Sequence, residues 1–308
     1  MSSASTPKPS SKQDAPPPVS DRPGLFARLA KLAEPVALLG PSGLWLFFLL
    51  VLPTLVIFEL SLVPGIKPGD VVNPSGFENY VALFQPTVLR AIGRSLFFAV
   101  GTTIICLLLG FPVAYWIALS ARRQWRNLLL LGFILPLWTS SLLRSYAWVT
   151  ILRPTGFLNT VLTSLGIPPI EILYQAPAVL VGMSYSYLPY MVLILYASLE
   201  KLDKRLLEAS ADLGANPLET FWKVTVPQTI PGIAAGCLLV GITAMGDFID
   251  PELLGGTGNG TIARLIFKKF VGKAPDWGAG SSLSVVLILV VSIAIALLIS
   301  FGEAKPKQ

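Results

Sequence analysis

The sequence predicts an all-α, polytopic membrane protein with six transmembrane helices. Three observations carry that prediction. Of the 308 residues 53% are hydrophobic and only 13% are charged, about half the charged share of roughly 25% in a soluble domain. The apolar residues gather into six runs, each near the ~20 residues that cross ~30 Å of hydrocarbon as a helix. Lys and Arg fall mainly in tails and short connections, where they orient a membrane protein. The net charge of +6 is thereby accounted for without a nucleic acid partner.

The elements follow in order. Residues 1–40 form a cytoplasmic tail. Its first 23 residues are rich in Ser, Pro and Lys and read as disordered. Residues 24–39 suit a short interfacial helix, with Leu25, Leu29, Leu32 and Val36 toward lipid and Arg28 and Lys31 toward water. The first apolar run begins too late for a signal peptide. The membrane region covers 41–301, with spans at 44–62, 95–120, 127–152, 176–199, 232–249 and 281–301. Pro53 predicts a kink in the first span. A short helix is expected at 77–84, a basic turn at Arg122, Arg123 and Arg126, and a short cytoplasmic tail at 302–308. Six spans place both termini on one side. The greater number of Lys and Arg on that side makes it cytoplasmic, although Arg264, Lys268, Lys269 and Lys273 in the last outer loop weaken the count.

Several chemistries are excluded. The chain has no His, so neither a Ser-His-Asp arrangement nor a His-based metal site can form. Cys106 and Cys237 lie inside apolar runs and read as packing residues. The Gly-rich run Gly255-Gly256-Thr257-Gly258-Asn259-Gly260-Thr261 lacks the Lys of a phosphate-binding loop and reads as a flexible turn. No metal ligand set and no reactive cluster of a membrane enzyme is visible, and any energy for active transport comes from another chain or an ion gradient.

Ionisable groups at membrane depth are costly and mark function or pairing. Arg144 in the third span and Asp247 in the fifth lie at similar depths from the cytoplasmic face when counted along continuous helices. Two readings stand: a structural Arg144–Asp247 ion pair, or an Asp247 that faces the pathway with Asp250 and Glu252 and meets a cationic solute. Trp138, Tyr146, Tyr187 and Tyr190 cluster at comparable depths and are either packing residues or rings that hold a cation. Tyr187 and Tyr190, three apart, can share a helix face; Tyr185 and Tyr187 cannot.

The most informative stretch is 208–227, EASADLGANPLETFWKVTVP. Residues 202–213 carry apolar side chains at helical spacing, and Gly214 ends that helix. Asn216, Pro217 and Glu219 then suit an N-cap, a first turn and a capping box. Pro227 and Pro231 are expected to end the segment before the next span. The hairpin leaves Leu213, Leu218, Phe221 and Trp222 without a core of their own, so they lie on lipid headgroups or in a groove of another protein.

This stretch resembles the E-A-A…G…I-x-L-P loop of bacterial ABC importer permeases, with Glu208, Ala209, Gly214, Val224, Val226 and Pro227 on the pattern. Ser210 stands for the second Ala, and Val224 and Val226 for Ile and Leu. ILPLWTSSLLRSYAWVTIL (134–152), PYMVLILYASLEKLDKRLLEASADLGA (189–215) and GDFIDPELLGG (246–256) resemble the spermidine/putrescine branch. The resemblance implies a type I ABC importer permease fold in a bacterial inner membrane. It implies a coupling loop at 200–231 that seats Glu208, Ala209, Gly214, Ala215, Asn216, Pro217, Phe221 and Pro227 against an ATPase. It further implies a second related permease as a heterodimer partner, a homodimeric cytoplasmic ATPase that binds ATP and Mg, and a periplasmic solute-binding protein. This chain itself would hold no cofactor and act as a transport subunit rather than an enzyme. The implied cargo is a small organic cation such as putrescine or spermidine. The alternatives are another small solute, such as an amino-acid derivative or a phosphonate, and, apart from this family, a gradient-driven carrier or channel.

Overall fold

The computed structural model describes residues 40–73, 76–256 and 258–302; the expected N-terminal tail with its interfacial helix, and the tail beyond 302, lie outside them. Among the described residues every regular element is helical. In chain order these are α1 (Gly40–Ser61), α2 (Glu78–Val81), α3 (Pro86–Ser120), α4 (Gln124–Trp138), α5 (Ser141–Leu152), α6 (Phe157–Ser164), α7 (Ala176–Leu199), α8 (Lys204–Asp212), α9 (Pro217–Met245), α10 (Ile249–Leu254), α11 (Ile262–Val271) and α12 (Trp277–Gly302). Five are long and apolar enough to cross a membrane, and a sixth crossing results if the bent pair of α4 with α5–α6 is counted as one.

Contacts divide the chain into a unit ending at Thr54 and a unit from Leu55 onward. In the first, Leu44, Trp45, Phe48 and Leu50 are all more than half exposed, as befits a lipid-facing surface. Pro53 lacks an N–H and its ring crowds the carbonyl of the residue four back, Leu49. A π turn over Phe47–Val51 takes up that crowding, and the helix continues.

In the second unit α7 is central. Its most apolar stretch is 56% buried, against 28% for α3 and 33% for α9, which flank it. One apolar cluster joins Phe111, Ile117, Met191, Leu195 and Val240 toward the α8 end of the bundle. A second joins Phe98, Val179, Met183, Ala244 and Leu254 toward the other end. Arg126 clamps the start of α4 to the end of α7: its guanidinium lies 5.0 Å over the Tyr196 ring and pairs with Glu200.

Three expectations are corrected. The helix α3 starts at Pro86, not near 95, because Pro86 supplies a ready first turn after the extended Gln85. Its 35 residues are about 52 Å long at 1.5 Å per residue, well beyond the hydrocarbon thickness. The expected third span at 127–152 is broken by 94° between α4 and α5. There the backbone tightens into a 3-10 turn at Leu135–Trp138, Thr139 turns extended, and its hydroxyl donates to the Pro136 carbonyl at 2.7 Å. Pro227 and Pro231 do not end the hairpin segment. A π turn at Phe221–Thr225, centred on the residue four before Pro227, lets α9 run from Pro217 to Met245.

Connections are tied by side chains that serve open carbonyls. Asn79 donates to the carbonyls of Ser61 (2.9 Å) and Val63 (3.1 Å), fixing α2 beneath the end of α1. Gly278 at the start of α12 packs on the same turn, and a Cβ there would fall 1.9 Å from the Val63 carbonyl oxygen. Backbone cannot yield as a flexible side chain can, so Gly278→Ala is expected to destabilise the protein by about 1–3 kcal/mol. Its melting temperature in detergent should drop by several degrees, while Gly132→Ala, with nothing within 4 Å of the new methyl, should match or exceed the parent.

Candidate functional site

The polar centre of the second unit lies where α9 gives way to α10. The helix stops at Met245 with Gly246 following, and the backbone turns through Asp247. One carboxylate oxygen of Asp247 accepts the Ile249 N–H at 2.8 Å, and the other accepts the Tyr187 hydroxyl at 3.1 Å. A break at membrane depth leaves backbone donors that must be satisfied, and Asp247 satisfies two of them, the second being the Asp250 N–H at 3.4 Å. Asp250, one turn on, is buried. It accepts from Ser145 of α5 and, at 3.3 Å, from Ser186 of α7. Room for it is made by Gly182, whose Cβ would lie 2.3 Å from Leu254 and 3.6 Å from an Asp250 carboxylate oxygen. Among the described residues neither acid forms an ion pair with Lys or Arg.

The Arg144–Asp247 pair is therefore corrected. Arg144 donates to the Pro136 carbonyl at 2.6 Å, closing the α4–α5 break. Equal depth was counted along a straight third span, and the 94° bend removes the premise. Glu252 is also drawn away from the acid pair, since Arg264 of α11 binds it and donates to the Gly256 carbonyl at 2.5 Å. Tyr187 and Tyr190 do share a face, with ring centroids 6.4 Å apart, beside Asp247. Tyr185 turns instead to Trp148, at 5.6 Å. Trp138 is 78% and Tyr146 56% exposed, and neither ring joins this cluster. Sequence reasoning missed Ser145, Ser186 and Arg264. The two serines were detectable as small polar residues inside apolar spans, the type that hydrogen-bonds between membrane helices; Arg264 was counted only as a loop charge.

The hairpin is the second feature. Asp203 caps α8 by accepting the Arg205 N–H at 3.0 Å. Gly214 takes φ +84°, the left-handed turn that glycine adopts without Cβ penalty. Asn216 and Glu219 then form the expected reciprocal capping box, and Ser210 and Thr220 hydroxyls meet at 2.8 Å across the turn. Glu208, Ala209, Pro217 and Pro227 are all exposed, and Leu213 (88%), Leu218 (68%) and Trp222 (62%) are strongly so. Leu206, Ala209, Leu213, Ala215, Val224 and Pro227 line an open cleft of about 410 Å³. Phe221 departs from expectation. Its ring sits 5.5 Å from Phe111 and 5.7 Å from Tyr115 of α3, so it roots the hairpin in the bundle instead of facing outward. The π turn that begins at Phe221 sets this direction.

A helical membrane bundle with a broken, acid-bearing span and an exposed apolar hairpin at one end has the make-up of a membrane transport subunit. The chain belongs to the binding-protein-dependent transport system inner membrane component family, whose pattern matches residues 110–301. It is thus a multi-pass permease subunit of a bacterial inner-membrane ABC importer and not an enzyme. It is 40% identical over 253 residues to the spermidine/putrescine transport system permease protein PotB of Haemophilus influenzae, covering 82% of this chain and 88% of that one. It is also 40% identical over 251 residues to PotB of Escherichia coli (strain K12), covering 81% and 90%. A chain of a bacterial alginate ABC transporter, solved in complex with an alginate pentasaccharide-bound periplasmic protein, shares the fold at TM-score 0.75 and 16% identity, over 91% of this chain and 97% of that one.

The Tyr187 hydroxyl ties α7 to the break between α9 and α10, and a bond to a charged acceptor contributes about 1.5–3 kcal/mol. Tyr187→Phe is expected to lower the melting temperature in detergent measurably. Tyr185→Phe keeps its ring contact and should change it little.

Proposed function

We propose that this permease conducts a polyamine, putrescine or spermidine, from a periplasmic solute-binding protein to the cytoplasm. The observation that carries the cargo is the uncompensated pair Asp247 and Asp250. Two like charges held close in a poorly solvated place repel, and a flexible polycation relieves that repulsion as no neutral or anionic solute can. The faces of Tyr187 and Tyr190 beside them suit the same cation. The PotB relatives, spermidine/putrescine transport permeases by name, support the same cargo.

The working assembly in this reading is a heterodimer of this chain with a second related permease. Below it lies a homodimeric ATPase that binds ATP and Mg, and both termini are cytoplasmic. The exposed Leu213, Leu218 and Trp222 enter clefts of the ATPase. The capping box and the Phe221 anchor make the hairpin stiff enough to transmit its closure. The spans then rock between inward- and outward-open states. A channel or gradient-driven carrier would leave the apolar hairpin unexplained.

Uptake of radiolabelled putrescine and spermidine into cells carrying the full system tests both parts. Asp247→Asn is expected to raise KM for the polyamine about tenfold, the loss of roughly one charge interaction of 1.4 kcal/mol; an unchanged KM makes the acid structural. Gly214→Pro cannot keep φ +84°, because proline fixes φ near −65°. Uptake should fall to background while the chain remains in the membrane and the ATPase still hydrolyses ATP. Normal uptake by that variant rules out the coupling role.

A further inference from the structure

Both acids of the polar centre stand beside a hydroxyl that has a second acceptor to serve. The Ser145 hydroxyl contacts Asp250 Oδ1 and also lies 3.0 Å from the Ser141 carbonyl. The Tyr187 hydroxyl lies 3.1 Å from Asp247 Oδ2 and 3.3 Å from the Thr243 carbonyl. Each row of three oxygens makes two contacts, yet its hydroxyl supplies one proton and its carbonyl none. Each row therefore has a place for one more proton, and the acid is the only group in it that can bring one.

The other contacts of the two acids decide which of them does. Asp247 also accepts the Ile249 and Asp250 N–H groups at 2.8 and 3.4 Å, and such donors favour the charged form. Asp250 is only 3% exposed, and among the described residues no backbone N–H reaches its carboxyl group. Beyond Ser145 it has the Ser186 hydroxyl, at 3.3 Å. No free cation faces it. On α5, Arg144 turns to the Pro136 carbonyl. On α11, Arg264 is taken up by Glu252 and the Gly256 carbonyl. From α7 come the uncharged Tyr187 and Tyr190, and Asp247 itself brings a charge of the same sign. Desolvation and like charge both oppose a second carboxylate there.

We propose that Asp250 holds a proton while the site is empty and releases it when a polyamine arrives, so that cargo binds in exchange for a proton. The inference rests on the polyamine reading above. In the empty site Asp250 Oδ1–H donates to Ser145, and Ser145 donates onward to the Ser141 carbonyl. As an ammonium group comes alongside, the O–H bond of Asp250 breaks. Its electron pair stays on the carboxylate and the proton passes to water. Ser145 then turns its own proton to Asp250, which reverses the bond between them. The acid pair goes from one negative charge to two and so meets the charge of a diammonium cargo. Departure of the cargo returns the proton.

The test begins with infrared spectroscopy of the full complex in polyamine-free nanodiscs near neutral pH. The parent should show the carbonyl stretch of a protonated carboxyl group, shifted in heavy water. Asp250→Asn should abolish it, and Glu171→Gln, at an exposed outer-loop acid, should keep it. Asn copies the neutral acid, so that variant should melt at the parental temperature. The second measurement is putrescine uptake by the full system between about pH 6 and 8, where amines with a pKa near 10.4 stay charged. With the binding protein's own affinity at each pH as reference, KM should fall about tenfold per pH unit, the slope of one displaced proton. In Asp250→Asn it should be flat. A parental spectrum without that band overturns the proposal. So does a flat parental profile with putrescine transported, which leaves the cargo reading intact. Both parental measurements decide even where Asp250→Asn does not reach the membrane. If the parental system takes up no putrescine at any pH, the cargo reading fails and the exchange with it.

Discussion

Every interruption of a helix inside a bilayer leaves backbone groups that water cannot reach, and the structure is organised by how each is satisfied. Asn79 closes the end of α1 through the Ser61 and Val63 carbonyls. Asn159 does the same between α5 and α6, donating to Arg153 and Ile170 carbonyls and accepting the Ile170 N–H at 2.8 Å. Arg144 and Thr139 serve the Pro136 carbonyl at the α4–α5 bend, and Arg264 serves Gly256. These polar side chains thus have a local structural task, which sets them apart from the acid pair.

What remains is the acid pair. Asp247 has a backbone to cap, yet no Lys or Arg among the described residues pairs with it, and Asp250 is accommodated by two serine hydroxyls and the gap beside Gly182. Desolvating carboxylates without a counter-ion is costly. In the function proposed above, a passing polycation offsets that cost, so that the site holds its cargo only briefly.

The hairpin and the Arg264–Glu252 pair lie at opposite ends of the bundle. Phe221 inserts between Phe111 and Tyr115, and Arg264 grips Glu252. The π turns preceding Pro53 and Pro227 show a shared solution to proline in a long helix: one extra residue in the turn moves the obstructing carbonyl aside, so the rod continues. For α9 that continuity matters, because the exposed hairpin and the acid-bearing break then sit at the two ends of one helix.

The sequence by itself determined the helical membrane class, the positions of the first, fourth and sixth spans and the local design of the hairpin. Each depends on short-range rules: apolar run length, the left-handed preference of Gly214, and the three-residue reach of the Asn216–Glu219 box. It also pointed to Asp247, because an acid in an apolar run is conspicuous in one dimension. Only the tertiary structure decided the partners. Depth counted along the chain paired Arg144 with Asp247, but the bend after Trp138 sends Arg144 to a carbonyl and leaves the acids to Ser145, Ser186 and Tyr187. Phe221 turned inward and Arg264 became a buried clamp for the same reason. The direction of a side chain follows from the path of the backbone in three dimensions, and a single break or extra residue in a turn redirects every residue that follows.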